Sequence, residues 1–224
     1  AAVIQTDGPI MIVAGAGSLH VEHISLNSIF KKNIHVYGNT KFKKKFKSNY
    51  TNITFNRLFL SSNQKKYIKK FIEIEKFNPS SLIEIHNRPL YLKQLTEKLN
   101  RKFVFHYHND PLTMNGSRLP KERIFMINNC DKIIFCSNWV KKRFLQNIDE
   151  NYINENKFII INHSINKKKI NFIKKKKIIT FVGRLNSAKG YDLFGKSIIK
   201  ILEKHKNWYA HVAGDEPREK LDYH

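Results

Sequence analysis

The sequence predicts an α/β protein with a doubly wound, mostly parallel sheet, followed by the first part of a second unit of the same kind. Short apolar segments alternate with helical segments along the chain, which is typical of strand–helix units in a parallel sheet. The apolar segments are nearly continuous, as expected for strands covered on both faces. A lysine-rich connection at 167–177 separates a first domain, residues 1–170, from a second, residues 171–224.

Seven apolar segments predict the strands of the first domain, at 10–14, 34–38, 53–55, 82–86, 103–108, 132–136 and 158–163. Helices are predicted between them, from the Gly15-Ala16-Gly17-Ser18 stretch to about 30, then at 63–78, 89–99, 120–129 and from 138 onward. Asn63 and Asn138 suit the N-cap, where a side-chain oxygen accepts from a free backbone N–H. Pro89 and Pro120 suit the first turn of a helix, because their missing N–H has no helical partner there.

The second domain begins with an apolar strand at 178–182 that ends in Gly183-Arg184. A short polar loop then leads through Lys189 and Gly190 into a helix, and a further strand follows at 208–214. A helix N-terminus beside a strand end favours anions, and Arg184 and Lys189 would add the charges that a diphosphate needs. The same pattern also fits an ordinary turn with two solvated cations. Strand, helix and strand cannot close a doubly wound domain, so we expect the chain to stop midway through it.

The composition points to an anionic partner without identifying it. The formal net charge is +23, which suits nucleic acid, an anionic membrane or a phosphorylated substrate, but the dispersed lysines equally fit a coding bias. No apolar run is long enough to span a membrane, and the first residues lack a signal-peptide pattern. The two cysteines, Cys130 and Cys136, are too few for a disulfide framework. We expect a cytoplasmic protein, and a peripheral contact with an anionic membrane at its inner face is left open.

Several predicted strands end in glycine or polar residues, where parallel sheets collect ligands. These residues are Gly15, Gly17, His86, His108, Asn109 and Asp110. The third glycine of a dinucleotide fingerprint is missing, so a nicotinamide cofactor is not expected. His106 and His108 share one face of a strand and, with Asp110, match a pattern of metal-dependent hydrolases. Pro111 follows where such hydrolases continue with histidine, so no metal site is expected. The histidines are then either a satisfied pair at the sheet edge or, for His108, a neutral group facing a substrate.

Three motifs give the chain a resemblance to a known family. They are Phe181-Val182-Gly183-Arg184-Leu185, Lys189-Gly190 and Gly214-Asp215-Glu216-Pro217. With Asn162-His163-Ser164-Ile165-Asn166 before the connection, they resemble the retaining glycosyltransferases of family 4, which have the GT-B fold. Weaker similarity extends through His86-Asn87 and His108-Asn109-Asp110-Pro111 in the first domain. Glu216 stands where the family usually has glycine, and the family's Glu-x7-Glu segment would lie beyond His224.

The resemblance implies roles for the candidate residues. Arg184 and Lys189 would bind the donor's diphosphate without a bound metal ion, and His108 would be catalytic, near the transferred sugar. Other members of the substrate cleft would be Gly15, Gly17, His86, Asn109, Asp110, Gly183 and Gly214. No cofactor is expected, because the nucleotide sugar is a substrate, and the acceptor would be a cell-surface glycan or a lipid-linked molecule. With part of the pocket missing, we expect residues 1–224 alone to have little or no transferase activity.

Two other function classes are kept as alternatives to the glycosyltransferase. A basic nucleic-acid-binding protein is suggested by the charge, although nucleic acid is not the expected partner. A metal-dependent hydrolase would use His106, His108 and Asp110.

Overall fold

The described strands within the first 166 residues form one sheet of seven parallel strands. The computed structural model describes residues 2–4, 16–39, 47, 49–55, 62–164 and 175–214. Its strands are β1 (Ala2–Ile4), β2 (His35–Gly38), β3 (Tyr50–Asn52), β4 (Leu82–His86), β5 (Lys102–Tyr107), β6 (Lys132–Phe135) and β7 (Phe158–Ile160). They are ordered β3-β2-β1-β4-β5-β6-β7 across the sheet.

In the described residues, five α-helices connect these strands. They are α1 (Ala16–Asn27), α2 (Asn63–Phe77), α3 (Pro89–Thr96), α4 (Pro120–Asn129) and α5 (Asn138–Leu145). The Ser62 hydroxyl caps α2 by accepting from the backbone N–H of Lys65, and the Ser137 hydroxyl caps α5 by accepting from that of Val140. Each cap therefore lies one residue before the predicted Asn63 and Asn138. Pro89 and Pro120 occupy the first turns of α3 and α4, as predicted.

A large hydrophobic core lies between this sheet and its helices. Ile85 and Phe105 from the sheet, and Phe71, Leu92 and Phe144 from the helices, are fully buried in it. Burying each such side chain contributes about 1.5–3 kcal/mol. This core holds β4 and β5 rigidly, and the carboxyl ends of these strands carry the polar residues of the candidate site.

The order of strands along the sheet reverses direction between β1 and β4. From β1, the chain first adds β2 and β3 on one side and then β4 to β7 on the other. In doubly wound sheets, ligands bind outside the carboxyl ends of the strands at this switch point. His86 is the last residue of β4 and therefore lies next to this switch point.

A second unit, residues 167–224, contains a smaller parallel sheet. Its described elements are β8 (Ile178–Val182), α6 (Tyr191–Lys204) and β9 (Tyr209–Ala213). The Phe181 ring contacts the rings of Tyr191 and Phe194, each with centroids 5.3 Å away, which anchors α6 on β8. Several large apolar side chains are nevertheless exposed, among them Val182, Leu193, Ile199, Tyr209 and Val212.

Some sequence-based boundaries differ from the structure. The strand predicted at 53–55 is β3, three residues earlier, because Tyr50–Asn52 pairs with β2. The strand predicted at 10–14 lies outside the described residues, and the first described strand is β1 instead. The helix after it already includes Gly17, which was expected in the preceding loop. Within the described residues, no helix is both long enough and apolar enough to cross a membrane.

Candidate functional site

Five histidines gather at the carboxyl edge of the seven-stranded sheet, and we call them the histidine cluster. They come from four segments, since α1 supplies one, β4 one, β5 and the turn after it two, and the residues after β7 one. The members are His20, His86, His106, His108 and His163. His86 and His106 are directly opposite in the β4–β5 register, and their rings stack with centroids 4.2 Å apart.

Asn87 fixes the turn that holds the cluster together. Its φ of 56° lies in the left-handed region, which asparagine tolerates better than most residues. The Asn87 backbone N–H donates to the His106 carbonyl at 3.0 Å, and its side-chain oxygen accepts from the His108 backbone N–H at 2.9 Å. One residue after β4 thus sets the position of His108 after β5.

A chain of hydrogen bonds runs through three members of the cluster. His86 Nδ1 and His108 Nε2 are 2.9 Å apart, and His108 Nδ1 and His163 Nε2 are 2.7 Å apart. Each neutral imidazole carries one N–H, so His108 donates one of these bonds and accepts the other. His163 is exposed, whereas His86 is fully buried, so the chain leads from the interior to the surface.

Burial keeps the cluster uncharged at physiological pH. Desolvation lowers the pKa of His86 and of His106 to about 3. Desolvation, followed by repulsion from the neighbouring histidines, lowers the pKa of His108 to about 2. The pKa of His20 and of His163 is lowered as well, mainly by burial. Neutral imidazoles can orient a ligand or bind a metal ion, but they add no positive charge to the site.

Glu84 lies beside the inner end of the cluster. Its Oε2 atom is 3.7 Å from both His86 Nε2 and His106 Nε2. Both ring nitrogens are buried and have no hydrogen-bond partner in the described part of the chain. Buried polar atoms without partners are uncommon in folded proteins. This corner therefore has unused capacity for hydrogen bonding.

The cluster lines a cavity of 270 Å³. Its polar lining includes Glu84, Ser25, Ser28 and four members of the cluster, His20, His106, His108 and His163, and its apolar lining includes Ile24, Ile34, Ile134 and Ile161. A mainly apolar cavity with a few converging polar groups is typical of small-molecule sites.

Asp110 does not join the histidines, which is a correction to the predicted hydrolase triad. Its carboxylate accepts from Arg143 Nη2 at 2.9 Å and from Arg143 Nε at 3.1 Å and 3.2 Å. It also caps the short 3-10 helix Pro111–Thr113 by accepting from the Leu112 backbone N–H. The hydrogen bond from Arg143 holds the pKa of Asp110 below its usual value. The Asp110 carboxylate therefore stabilises the turn after β5. The adjacent Asn109 is exposed.

In the described residues, two groups of side chains could each hold a metal ion, because the possible ligand atoms within each group lie within 4.8 Å of one another. One consists of His20, His108 and His163, and the other of Glu84, His86 and His106. Neither group contains Asp110, so His106, His108 and Asp110 do not form a common metal site.

The second unit carries the predicted cations at the carboxyl end of β8. Arg184 and Lys189 are both exposed, in the loop that leads to α6. Gly190, with a φ of +74°, ends a 3-10 turn and begins the helix, a conformation that favours glycine. The Asn186 side-chain oxygen accepts from the Lys189 backbone N–H at 3.1 Å and shapes the loop.

Gly183 follows β8 and Gly214 follows β9, and the two residues are in close contact. The Gly183 N–H donates to the Ala213 carbonyl at 3.0 Å. A Cβ atom placed on Gly214 would lie 1.7 Å from the Gly183 carbonyl oxygen. Glycine is therefore required at 214 by the approach of one backbone to another.

Comparison with solved structures identifies the architecture. Sucrose-phosphate synthase from Thermosynechococcus elongatus is similar over 98% of this chain and 63% of its own, with a TM-score of 0.67 and 15% identity. WaaG, a glycosyltransferase involved in lipopolysaccharide biosynthesis, matches over 97% and 64%, with a TM-score of 0.63 and 13% identity. A glycosyltransferase from Rickettsia africae ESF-5 matches over 97% and 61%, with a TM-score of 0.60 and 19% identity. The chain has the GT-B fold.

A family model locates the sequence similarity within this GT-B chain. Residues 162–223 match the model of the glycosyl transferases group 1, and no curated protein sequence matches the chain. The matched segment contains Arg184 and Lys189. The chain spans about three-fifths of the length of the solved GT-B structures named above.

Some of the predicted site residues of this GT-B chain are in contact with each other, whereas Asp110 is bound by Arg143 instead. His86 and His108 share a hydrogen bond, and Gly183 and Gly214 are in contact. Gly15 lies outside the described residues, and Gly17 lies in the first turn of α1. His20, His163 and Glu84 were not among the predicted site residues. Glu84 and His163 fall on predicted strands, so the strand order could have placed them near His108, whereas His20 depends on how α1 is rotated.

Proposed function

We propose that this protein is a retaining glycosyltransferase that transfers a sugar from a nucleotide-sugar donor without a metal ion at the diphosphate. The observation that carries the proposal is the match of residues 162–223 to the glycosyl transferases group 1, since this segment holds Arg184 and Lys189. Both side chains are exposed, Arg184 just after β8 and Lys189 just before α6, whose N-terminal backbone N–H groups also favour an anion.

The two cations would act on the leaving group. When the bond between sugar and phosphate breaks, negative charge builds up on the departing nucleoside diphosphate. The planar guanidinium of Arg184 can donate two hydrogen bonds to phosphate oxygens, and the flexible Lys189 ammonium can follow the developing charge. Side-chain cations would thereby replace a divalent metal ion.

His108 would act on the sugar side, as a neutral polar group. Its low pKa leaves it one N–H and one lone pair with which to orient a sugar hydroxyl. Both ring nitrogens are paired with histidines in this structure, so contact with a sugar requires the release of one of them. The exposed His163 is the partner that can move away with the smaller loss of packing.

The acceptor is proposed to be a cell-surface glycan or a lipid-linked precursor, reached in the cytoplasm with peripheral contact to an anionic membrane. The similar structure WaaG is involved in lipopolysaccharide biosynthesis, and a net charge of +23 suits an anionic surface.

The test is a titration of the full-length protein with uridine, guanosine and adenosine diphosphates by calorimetry. Replacing Arg184 and Lys189 by alanine together should weaken binding of the preferred diphosphate at least about 100-fold, because each charge-assisted contact contributes about 1.5–3 kcal/mol. The matched control replaces Lys196 and Lys200 by alanine, which removes the same amount of charge from exposed positions further along α6. Equal affinity of the double variant and the control would contradict the proposal.

A further inference from the structure

Three imidazoles of the histidine cluster surround one point at the edge of the cavity. His20 lies on α1, His108 follows β5 and His163 follows β7, and their ligand nitrogens lie within 4.8 Å of one another. The ring centroids are 4.4 Å apart for His20 and His163, 4.9 Å for His108 and His163, and 5.2 Å for His20 and His108.

These separations are close to those of a tetrahedral metal site. Zinc–nitrogen bonds of about 2.0–2.1 Å at tetrahedral angles place imidazole centroids about 5 Å apart and nitrogens about 3.3 Å apart. The three ring planes are inclined to one another by 37°, 42° and 70°, so their lone pairs can converge. The 2.7 Å contact between His108 Nδ1 and His163 Nε2 must open by roughly half an ångström when a metal binds. The proton on His163 Nε2 then moves to His163 Nδ1, so that the ring stays neutral and Nε2 offers its lone pair.

The second group of ligand atoms is less suitable for a metal. The His86 and His106 rings are stacked at an angle of only 18°, so their lone pairs run nearly side by side. This group instead lies behind His108. Metal-binding histidines almost always donate their other ring N–H to a neighbouring acceptor, which fixes the tautomer.

Glu84 favours the tautomer that a metal requires. Its carboxylate oxygen, 3.7 Å from His86 Nε2, attracts a proton on that nitrogen. His86 Nδ1 is then an acceptor, and His108 Nε2–H donates to it at 2.9 Å. The lone pair of His108 Nδ1 is thereby directed to the side of His163.

We propose that His20, His108 and His163 bind a transition-metal cation of the zinc, cobalt or nickel class, with Glu84 and His86 as positioning residues. The exposed His163 provides access from solvent, and the cavity beside it leaves room for a fourth ligand, such as water. A bound ion occupies the His108 nitrogen that a sugar hydroxyl would need. The ion therefore inhibits the transferase, a consequence that rests on the proposed function, whereas metal binding itself does not.

Metal binding is tested on residues 1–224 after removal of metal ions with a chelator. Zinc is titrated by competition with a chromophoric chelator, and cobalt by its visible absorption, which is strong for tetrahedral coordination. We expect one equivalent per chain. His163→Ala and His20→Ala should each weaken affinity at least about 100-fold, and Glu84→Gln about 10-fold, the lower limit for residues behind a ligand.

The control is His205→Ala, which removes an exposed histidine in the second unit and should leave affinity unchanged. If His20→Ala fails to fold, the exposed His163→Ala decides the result. Equal affinity of His163→Ala and His205→Ala, or no binding of one equivalent, would overturn the site. Zinc inhibition is measured separately with the full-length enzyme. Zinc binding without inhibition would refute only the regulatory consequence, and an inactive enzyme that still binds zinc at these residues would refute only the transferase.

Discussion

Replacing Gly214 by alanine should loosen the small sheet of the second unit. The added Cβ would lie 1.7 Å from the Gly183 carbonyl oxygen, and that distance must grow beyond 3.0 Å. The shift parts the carboxyl ends of β8 and β9 and breaks the 3.0 Å hydrogen bond from Gly183 to Ala213. Overpacking costs about 1–3 kcal/mol, and a lost hydrogen bond about 1 kcal/mol. We therefore expect a total loss of about 2–4 kcal/mol.

The assay is amide hydrogen exchange along β8 and β9, which reports the stability of this unit separately from the larger sheet. A loss of 2–4 kcal/mol corresponds to exchange about 30- to 1,000-fold faster, at about 1.4 kcal/mol per factor of ten. Gly183→Ala is the matched control, because its Cβ would meet the Phe181 ring at an ordinary 3.5 Å. Identical exchange in the two variants would refute the argument from backbone contact.

Two further predictions concern the first unit. The buried Arg123 donates hydrogen bonds to the carbonyls of Phe144, Ser117, Arg118 and Gln146. Each buried carbonyl left without its donor costs about 1–3 kcal/mol. We therefore expect Arg123→Met to lower the free energy of unfolding by about 3–5 kcal/mol. Urea unfolding measures this cost, and the exposed Arg118→Met should be nearly neutral; equal midpoints would contradict the prediction. Acid should also destabilise the metal-free protein between pH 6.5 and about 3, because the unfolded state binds protons at His86 and His106 that the folded state, with pKa values of about 3, does not. The stability that these two histidines contribute is present above pH 6.5 and is lost as the pH falls toward 3. Between these limits each histidine changes the free energy of unfolding by up to about 1.4 kcal/mol per pH unit. Urea titrations at several pH values should therefore show a flatter pH dependence for His106→Gln.

The sequence predicted most of the fold because its signals are local. Continuous apolar runs mark β4, β5 and β6, and proline marks the starts of α3 and α4. The prediction failed where pairing decides the boundaries. Tyr50–Asn52 is polar apart from its first residue, yet it forms β3 because β2 offers a free edge beside it.

The candidate site was predictable only in part, for a different reason. His86 and His108 follow strands, so a parallel sheet brings them to the same edge. Which partners their nitrogens find depends on side-chain directions that no spacing encodes. Spacing alone grouped Asp110 with His106 and His108, but Arg143, 33 residues further along, binds its carboxylate.

The central position of β1 has a consequence for how the protein assembles. Among the described strands, β1 alone joins the β2–β3 pair to the β4–β7 group, through partners near residues 35 and 83. Contacts so distant in sequence close slowly, because long loops must be ordered first. During synthesis, β1 has to wait for β4 before the sheet is continuous. Until then β1 is an edge strand with one side unpaired, and this interval is when the protein most needs protection from aggregation.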